Sequence, residues 1–157
     1  MSHNITIRPA ERGDCPLLLT LIREFAEYVK KPEQVTATVE ILEESLFVRR
    51  TAEVLLPLCD GEVIGYALFF HNFSTFLGKP GIYLEDLYIR RNHRGHGAGK
   101  AVFAELSRIA LERDCGRIDW QCHDWNKSSV EFYKSLGAEE INGAMNFRLT
   151  GFAVNSE

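Results

Sequence analysis

The 157-residue sequence has no long apolar run and no excess of basic residues. No stretch approaches the roughly 18 uninterrupted apolar residues that a membrane-spanning helix needs, and residues 1–15 carry several charges. The sequence therefore predicts neither a signal peptide nor a membrane anchor. The 18 Lys and Arg against 22 Asp and Glu leave a formal net charge of -4. This balance argues against a dedicated nucleic-acid binder, because such proteins are normally basic.

Cysteine and histidine patterns predict no disulfide framework and no metal. The cysteines are Cys15, Cys59, Cys115 and Cys122. They lie far apart and form no C-x-x-C pair, which is typical of reduced thiols, so we expect a cytoplasmic protein. His93 and His96 lie three residues apart, but no third ligand lies near them in the sequence, and zinc normally takes three or four clustered ligands.

The chain length and apolar content predict one domain over residues 1–157, because 45% hydrophobic residues supply a core of the size that such a domain needs. Hydrophobic periodicity then separates strands from helices. The expected order is strand 4–8, helices 14–30 and 39–47, strands 52–59, 62–70 and 82–89, a helix between 100 and 116, strand 117–123, helix 127–136 and strand 142–149. A loop is expected at 71–80. This order predicts a mixed α/β domain.

Local signals mark several element ends. The dipeptide Asp60-Gly61 predicts a two-residue hairpin turn, because both central positions of that turn need positive φ. Asp14 can cap the first helix, Thr36 or Thr38 the second, and Asn126 the last.

A glycine-rich segment follows strand 82–89 and reads Arg91-Asn92-His93-Arg94-Gly95-His96-Gly97-Ala98-Gly99-Lys100. Such a loop before a helix presents unpaired backbone N–H groups at the positive end of the helix dipole, which favours a phosphate. The Walker pattern fails at Arg94 and Ala101, and the G-x-G-x-G spacing differs from the dinucleotide fingerprint. A flexible glycine turn with a solvated basic rim is the structural alternative.

Two adjacent carboxylates interrupt the apolar strand 82–89, at Glu85 and Asp86. Because side chains alternate along a strand, Asp86 is expected on the face of Leu84 and Tyr88, with Glu85 on the other. A buried carboxylate has a raised pKa, which suits a general base. An ordinary ion pair or an edge-strand charge is the alternative.

Further short segments accompany these motifs across almost the whole chain. They are Ile7-Arg8-Pro9-Ala10, Asp14-Cys15, Tyr83-Leu84-Glu85-Asp86-Leu87-Tyr88, Arg94-Gly95-His96-Gly97-Ala98-Gly99, Asp124-Trp125-Asn126 and Phe132-Tyr133-Lys134 with Leu136-Gly137-Ala138. Together they resemble the GNAT family of acetyl-CoA-dependent N-acetyltransferases. Within that family they are similar to the diamine (spermidine/spermine) and thialysine acetyltransferase branch.

The resemblance implies an α/β fold, with a central, mostly antiparallel sheet splayed between two parallel strands. These would be the strands ending near Ile89 and near His123. It also implies acetyl-CoA as cosubstrate, direct transfer of the acetyl group to a primary amine, and a homodimer.

The resemblance further implies which residues hold the cofactor. The backbone of Leu87, Tyr88 and Ile89 would contact pantetheine and the acetyl carbonyl. The pyrophosphate would lie on Arg94, Gly95, His96, Gly97, Ala98, Gly99 and Lys100. Asn126 would hold the pantetheine arm, and Tyr133 would also contact the cofactor.

By the same carry-over, Tyr133 would protonate the departing thiolate, and Glu85 would take the amine proton, directly or through a water. The expected substrate-binding residues are Tyr28, Glu85, Asp86 and Asp124. Glu24 and Glu27 are further acidic candidates for attracting a cation. The structural alternative for Tyr133 is an amphipathic core tyrosine whose hydroxyl lies at the surface.

Three functions stay open at this point: a small-amine acetyltransferase, an acetyltransferase of protein N-termini or lysines, and a non-catalytic acetyl-CoA sensor. Segment 142–146 lacks the acids that polyamine-acetylating relatives carry there, whereas Asp124-Trp125-Asn126 resembles thialysine-type members. A lysine-like or other small primary amine is therefore the leading substrate, and neither nucleic acid nor membrane is expected as a partner.

Overall fold

The computed structural model describes residues 3–152. The chain divides into two compact units, Met1–Gln121 and Cys122–Glu157, so the single domain over 1–157 stays a prediction. Among the helices of the described range, none combines the length and the apolar character that crossing a bilayer requires.

The first unit contains all six strands and three of the four α-helices of the described range. The strands are β1 (Ile5–Pro9), β2 (Glu53–Cys59), β3 (Glu62–Val63), β4 (Gly65–Ser74), β5 (Lys79–Ile89) and β6 (Ile118–Trp120). The helices are α1 (Cys15–Tyr28), α2 (Val39–Glu43) and α3 (Ala98–Glu112), and a π-helical turn at Glu44–Val48 continues α2.

The sheet has the order β1-β2-β4-β5-β6, with β3 paired to β2. Every pairing is antiparallel except that of β5 with β6, which is parallel. The predicted mixed, mostly antiparallel fold is therefore confirmed. The parallel pairing runs only from Ile82 opposite Ile118 to Leu84 opposite Trp120. Beyond Leu84, no strand in residues 3–152 pairs with this edge of β5, so the two strands part where the sequence places the carboxylates.

Apolar side chains fill both faces of this sheet. One cluster joins helices α1 and α2 to the sheet and includes Leu18, Leu21, Leu56, Tyr66 and Tyr88. A smaller one, at the start of α3, contains Cys59, Ile64 and Ala98 with Ile5 and Ile89 packed against it. Burying each leucine of this kind stabilises the fold by roughly 1.5–3 kcal/mol. The two layers hold the carboxyl-terminal half of β5 between α1 and α3.

The predicted turn and cap residues have different outcomes. The Asp60-Gly61 hairpin turn is confirmed, with φ of 50° and 85°. Thr38 caps α2 by accepting a hydrogen bond from the Ile41 amide at 3.2 Å. The predicted Asp14 cap is wrong: Asp14 precedes α1, but its side chain accepts no capping bond.

The Asp14 carboxylate has other partners that explain this outcome. It accepts hydrogen bonds from the Arg8 guanidinium at 2.8 Å and from the Glu11 amide at 2.7 Å. Because both lie on the side of the preceding segment, the carboxylate is held away from the first turn of the helix. It therefore ties β1 to the chain entering α1.

The predicted loop at 71–80 is mostly strand. The β4–β5 hairpin extends from His71 opposite Ile82 to Ser74 opposite Lys79, leaving only residues 75–78 as a turn. The polar and aromatic composition of this segment indicated a loop, but backbone pairing across the hairpin decided otherwise. The strand predicted over 117–123 is shorter in the structure, where β6 covers only Ile118–Trp120. It pairs with β5 only over these residues.

The second unit contains α4 (Lys127–Ser135). The Asn126 side chain caps this helix by accepting a hydrogen bond from the Ser129 amide at 3.4 Å, as predicted. The strand predicted at 142–149 is wrong, because the structure pairs no strand with these residues. Alternation of apolar residues favours a strand, but a strand persists only where its backbone groups find a partner.

Candidate active site

A β-bulge shapes the strand that carries the two carboxylates. Leu84 pairs with Phe69 and Asp86 with Leu68, so the pairing skips Glu85. An extra residue in one strand reverses the alternation of faces beyond it. Leu84 and Asp86 therefore lie on opposite faces of the sheet, and the expectation that they share a face is wrong.

Asp86 shares its face with Tyr88, as predicted, and also with Tyr66, which pairs with Tyr88 across β4 and β5. The Tyr66 hydroxyl donates a hydrogen bond to Asp86 Oδ2 at 3.0 Å. The Phe25 ring of α1 lies 6.3 Å from the Tyr66 ring and 5.8 Å from the Tyr88 ring. The carboxylate thus lies beside an aromatic cluster under α1.

This environment raises the pKa of Asp86 from its ordinary 3.8 to about 6. Burial is the main cause, because removing the carboxylate from water disfavours its charged form. The hydrogen bond from Tyr66 lowers the pKa, whereas the nearby charge of Glu85 raises it. Within residues 3–152, no basic side chain forms an ion pair with Asp86. The site is therefore chemically suited to a cation.

Glu85, the skipped residue of the bulge, is exposed. The bulge places it outside the regular alternation of buried and exposed positions, immediately beside the more buried Asp86. The two carboxylates predicted from the sequence thus have different surroundings. Asp86 is partly buried beside the aromatic cluster, whereas Glu85 is exposed to water.

Glu24, on α1, lies near the same tyrosines but already has a cationic partner. Two nitrogens of the Arg90 guanidinium donate to the Glu24 carboxylate, Nε to Oε1 at 3.1 Å and Nη2 to Oε2 at 3.0 Å. The Tyr88 hydroxyl also donates to Oε1, at 3.1 Å. The bond from Arg90 lowers the pKa of Glu24 below its ordinary 4.5. This bidentate pair occupies both side chains, so Glu24 offers little charge to a substrate and Arg90 little to a phosphate.

The glycine loop begins with a 3₁₀ turn at Arg91–His93 and ends at α3. Gly95 and Gly97 have φ of 79° and 90°, in the left-handed region that favours glycine. Nothing lies within 4 Å of a Cβ built at either position, so conformation and not crowding requires glycine here. The loop therefore turns sharply into the helix.

The first turn of α3 presents its backbone donors without a capping side chain. The first bond of the helix runs from the Ala101 amide to the Gly97 carbonyl at 2.9 Å. By helix geometry, the amides of Ala98, Gly99 and Lys100 precede that ladder. We call this set of amides, together with the turn at Gly95 and Gly97, the glycine cradle. Its donors and the helix dipole suit a diphosphate.

Arg94 connects the glycine loop to the end of β5 and to Tyr28 on α1. Its Nε donates to the Ile89 carbonyl at 2.8 Å, and its guanidinium lies 4.5 Å above the centre of the Tyr28 ring. Arg94 and Tyr28, assigned by resemblance to the cofactor and to the substrate, are thus in contact with each other. The contact joins the end of β5 to the end of α1.

The backbone of β5 offers one more donor on the edge that β6 leaves. The Arg90 amide donates to Ile64 on the β4 side at 2.8 Å. Since successive residues of a strand direct their backbone groups to opposite edges, Tyr88 also faces β4, whereas Leu87 and Ile89 face the other edge. The Ile89 carbonyl is bonded by Arg94. The Leu87 amide is directed toward the edge at which β6 pairing has ended.

Three predicted site residues lie in the second unit. Asn126 caps α4, Tyr133 lies within that helix with its ring 5.5 Å from the Phe132 ring, and Asp124 is exposed. Their assignments to the cofactor, the leaving thiolate and the substrate stay predictions.

The sequence interpretation missed Tyr66 and the pairing of Glu24 with Arg90. Tyr66 is separated from Asp86 by 20 residues, and only the hairpin register with its bulge brings the two together. The sequence predicts Glu24 only as an acid that attracts a cationic substrate, and it assigns no role to Arg90. No pattern in the sequence indicated that they neutralise each other.

Comparison with known proteins shows what this arrangement resembles. A model of the "Acetyltransferase (GNAT) family" matches residues 18–138. Thialysine N-epsilon-acetyltransferase of Bos taurus is 35% identical over 162 residues, covering 96% of this chain and 95% of that protein. L-ornithine N5-acetyltransferase NATA1 of Arabidopsis thaliana is 37% identical over 66% of this chain and 46% of its own length. An integron cassette protein from the mobile metagenome of V. cholerae superposes with a TM-score of 0.77 at 25% identity, covering 96% and 94% of the two chains.

Proposed function

The chain belongs to the GNAT family of acetyltransferases, and we propose that it transfers the acetyl group of acetyl-CoA to the primary amine of a small cationic molecule. One observation carries the proposal. On β5, a desolvated carboxylate without an ion-pair partner in residues 3–152 precedes a strand edge with an outward amide, and the glycine cradle follows directly. The carboxylate suits an ammonium group, the outward amide suits a thioester carbonyl, and the glycine cradle suits a diphosphate.

The cradle and the β5 edge suit acetyl-CoA. Amides at the start of α3 would bind the pyrophosphate, with Lys100 at the same turn, and the backbone of Leu87, Tyr88 and Ile89 would align the pantetheine. The Leu87 amide would donate to the thioester oxygen as it gains negative charge. The second-unit residue Asn126 is proposed for the pantetheine arm.

The amine must lose a proton before it can attack. An alkylamine with a pKa near ~10.4 is only about one part in a thousand neutral at pH 7.4, which adds ~4 kcal/mol to the barrier if nothing assists. We propose that Asp86, with the faces of its aromatic neighbours, binds the ammonium form. Glu85 then takes the proton, directly or through a water, since it lies next to Asp86 and faces solvent.

The transfer balances with one proton donor on the leaving side. The amine nitrogen forms a bond to the acetyl carbon, the carbon–sulfur bond breaks, and the thiolate takes a proton from the Tyr133 hydroxyl. The nitrogen releases its second proton as the amide forms, and that proton restores the Tyr133 hydroxyl through solvent, while Glu85 returns the first proton to solvent. No cysteine is required, because the amine attacks the thioester directly. The products are the acetylated amine and CoA.

The substrate class follows from the relatives together with Asp86. The relatives named above act on thialysine and on ornithine, as their names state. Both molecules end in a primary amine on a flexible chain, and we propose a lysine-like amine of this type, with Tyr28 and Asp124 as further substrate contacts. Acetylation of a protein N-terminus or lysine, and acetyl-CoA sensing without turnover, are the alternatives.

An amine panel separates these functions. Release of CoA would be followed with a thiol reagent for thialysine, lysine, ornithine, diamines, polyamines and a lysine-containing peptide, against a blank without amine. The proposal expects the highest kcat/KM for a lysine-like molecule. Turnover of the peptide alone would favour the protein acetyltransferase. Acetyl-CoA binding in calorimetry with no thiol release from any amine would favour the sensor.

Tyr133→Phe tests the proposed proton donor. We expect kcat to fall about 100-fold or more, because a general acid contributes typically 10²–10⁴-fold, with acetyl-CoA affinity nearly unchanged. Phe132→Leu, a change at the neighbouring position, is the matched control. A large loss of acetyl-CoA affinity in Tyr133→Phe would assign this residue to binding instead.

Two finer expectations belong to the same proposal. We propose that the protein is a homodimer, as the resemblance implies. We also propose that it lies in the cytoplasm, because its cysteine pattern is typical of reduced thiols. Light scattering coupled to size exclusion measures the oligomeric state, and a mass of about 17.9 kDa for the eluting species would contradict the dimer.

A further inference from the structure

Three potential metal ligands meet at the end of the sheet where β2 ends and where β5 leads into the glycine cradle. They are His3, Cys59 and Asp60, and their ligand atoms all lie within 4.8 Å of one another. His3 Nδ1 is 3.7 Å from Asp60 Oδ2, and Cys59 Sγ is 3.8 Å from the same oxygen. The proposed acetyl transfer uses none of these residues.

These separations fit a tetrahedral ion better than they fit direct bonds. A thiol, an imidazole and a carboxylate bound to Zn²⁺ at about 2.0–2.3 Å lie roughly 3.3–3.8 Å from one another. The 3.7 Å from His3 Nδ1 to Asp60 Oδ2 is too long for a hydrogen bond, and the Cys59 thiol makes only a weak S–H···O bond to the same oxygen. Both distances are close to the edges of such a tetrahedron. The donor set of sulfur, nitrogen and oxygen suits Zn²⁺, whereas calcium and magnesium take oxygen ligands.

The fold holds two of the ligands in place. Cys59 ends β2 and is buried, and Asp60 occupies the hairpin turn with φ of 50°. Asn4 exchanges two hydrogen bonds with Asp60, from the Asn4 amide to Oδ1 at 3.2 Å and from the Asp60 amide to the Asn4 carbonyl at 2.9 Å. These bonds place His3, the neighbour of Asn4, beside the turn. They use Asp60 Oδ1, so Oδ2 is the oxygen that lies near His3 and Cys59.

His96, on the loop that leads into α3, lies beside His3, although its nitrogens are not among the three ligand atoms that lie within 4.8 Å of one another. We include it as the fourth ligand because its ring contacts that of His3. The ring centres of His3 and His96 are 4.6 Å apart in an edge-to-face arrangement. Cys59 belongs to the same apolar cluster as Ala98, the first residue of α3. Sequence spacing does not predict this group, because its other ligands are distant from His96 in the chain and come from the N-terminal segment and from the β2–β3 turn.

We propose that His3, Cys59, Asp60 and His96 form a Zn²⁺ site next to the cofactor cradle. Binding would release the Cys59 proton to the buffer, since the thiolate is the ligand, and it requires neutral imidazoles. The ion forms four bonds to protein and changes no oxidation state. The cysteine and histidine patterns predict no metal, and Zn²⁺ binding at this site would contradict that prediction.

Cobalt(II) substitution tests the site without any assay of acetyl transfer. Protein without a polyhistidine tag is titrated with Co²⁺ and then with Zn²⁺ in chelator-free buffer. We expect one equivalent to bind, with a thiolate-to-cobalt charge-transfer band in the near ultraviolet and visible bands of tetrahedral intensity, both displaced by Zn²⁺. A wild-type protein that shows no thiolate band would overturn the proposal.

Matched variants assign the ligands. Cys59→Ser should abolish the charge-transfer band, and His3→Ala, Asp60→Asn and His96→Ala should each weaken Zn²⁺ binding about 10-fold or more. Controls are His93→Ala on the same loop and Cys122→Ser, an exposed cysteine of the second unit. Equal affinity of Cys59→Ser and wild type, or a His96→Ala protein with wild-type affinity, would overturn the four-ligand site.

Folding of the variants is checked independently. Cys59 is buried, so Cys59→Ser is compared with wild type by circular dichroism in the absence of metal. Asp60→Asn serves if the serine variant unfolds, because asparagine tolerates positive φ and keeps an Oδ1 acceptor for the Asn4 amide. Unaltered Zn²⁺ affinity in a folded Asp60→Asn protein would also overturn the proposal.

Discussion

Asp86 on β5 and Glu24 on α1 are two carboxylates near the same pair of strands, and their pKa values shift in opposite directions. Each accepts a hydrogen bond from a tyrosine, Tyr66 for Asp86 and Tyr88 for Glu24. Burial raises the pKa of Asp86 to about 6, whereas the guanidinium of Arg90 lowers the pKa of Glu24. Since the tyrosine bond lowers the pKa of both, the heavier burial of Asp86 and the cation beside Glu24 together make the difference.

This contrast separates a structural charge from one that is suited to a ligand. Glu24 forms an ion pair with Arg90 and thereby connects α1 to the end of β5. Asp86 lies in a drier place with no ion-pair partner among residues 3–152, an arrangement that costs stability and that a cationic amine would relieve. Removing each carboxylate should therefore have opposite effects on stability and unequal effects on activity.

The largest expected effect is on turnover. Asp86→Asn should lower kcat/KM for the best amine about 100-fold, mainly through KM, because one partner of a buried charge pair with the substrate is lost. Glu24→Gln, the matched change, should lower it less than about threefold. Steady-state kinetics measure both, and equal losses would remove the distinction between the two carboxylates.

The second effect is on stability, with a pH dependence set by the raised pKa of Asp86. Its pKa is about 6 in the folded protein and 3.8 ordinarily, so the folded state binds the proton more tightly. Ionisation of Asp86 therefore costs stability as pH rises from about 4 to 6, by at most about 3 kcal/mol.

Asp86→Asn removes this cost while keeping an acceptor for Tyr66. The variant should be more stable than wild type at pH 7.5 and nearly equal to it at pH 4, as measured by urea unfolding at a series of pH values. A variant less stable than wild type at pH 7.5 would show that Asp86 is not an unrelieved charge.

Glu24→Gln should act in the opposite direction and more weakly. Because the pKa of Glu24 is lowered below 4.5, its contribution to stability is present above that value and is lost as pH falls through the folded-state pKa. About a third of each side chain of the pair is exposed, so solvent screening limits the loss to about 1 kcal/mol at pH 7. Glu27→Gln on the same helix should have almost no effect. A loss for Glu24→Gln that does not shrink as the pH is lowered progressively below 4.5 would contradict the ion-pair explanation.

The smallest effect sharpens the part played by the tyrosines. Tyr66→Phe removes a bond that lowers the pKa of Asp86, so the acidic limb of the pH profile of kcat/KM should move upward by less than about one pH unit. Tyr88→Phe should leave the limb in place, since Glu24 keeps Arg90. A limb that moves in Tyr88→Phe and not in Tyr66→Phe would reverse the assignment.

Local features of the fold could be read from the sequence. Asp60-Gly61 predicted its turn because few residues tolerate two consecutive positive φ angles. Helical spacing predicts a buried stripe on α3 at Val102, Phe103, Leu106, Ile109 and Ala110. The first four are buried, whereas Ala110 is half-buried. The cradle at 95–100 was predicted on the same local grounds.

Features that depend on distant partners could not be read in this way. The strand predicted at 142–149 has the alternation but no partner, and the Asp14 side chain takes Arg8 and the Glu11 amide instead of capping α1. The carboxylate pair on β5 was correctly singled out, but the face of Asp86 relative to Leu84 was not, because a single skipped residue in the hairpin reverses it.

The sequence alone determined the helices, the tight turn, the glycine cradle and the adjacent acids on one strand, because each depends on residues a few positions apart. The tertiary structure decided which acid is desolvated, which is neutralised by an arginine, and which histidine, cysteine and aspartate meet at the sheet's end. The physical reason is that solvation and Coulomb interaction depend on distance through space, and hairpin register and helix packing set that distance.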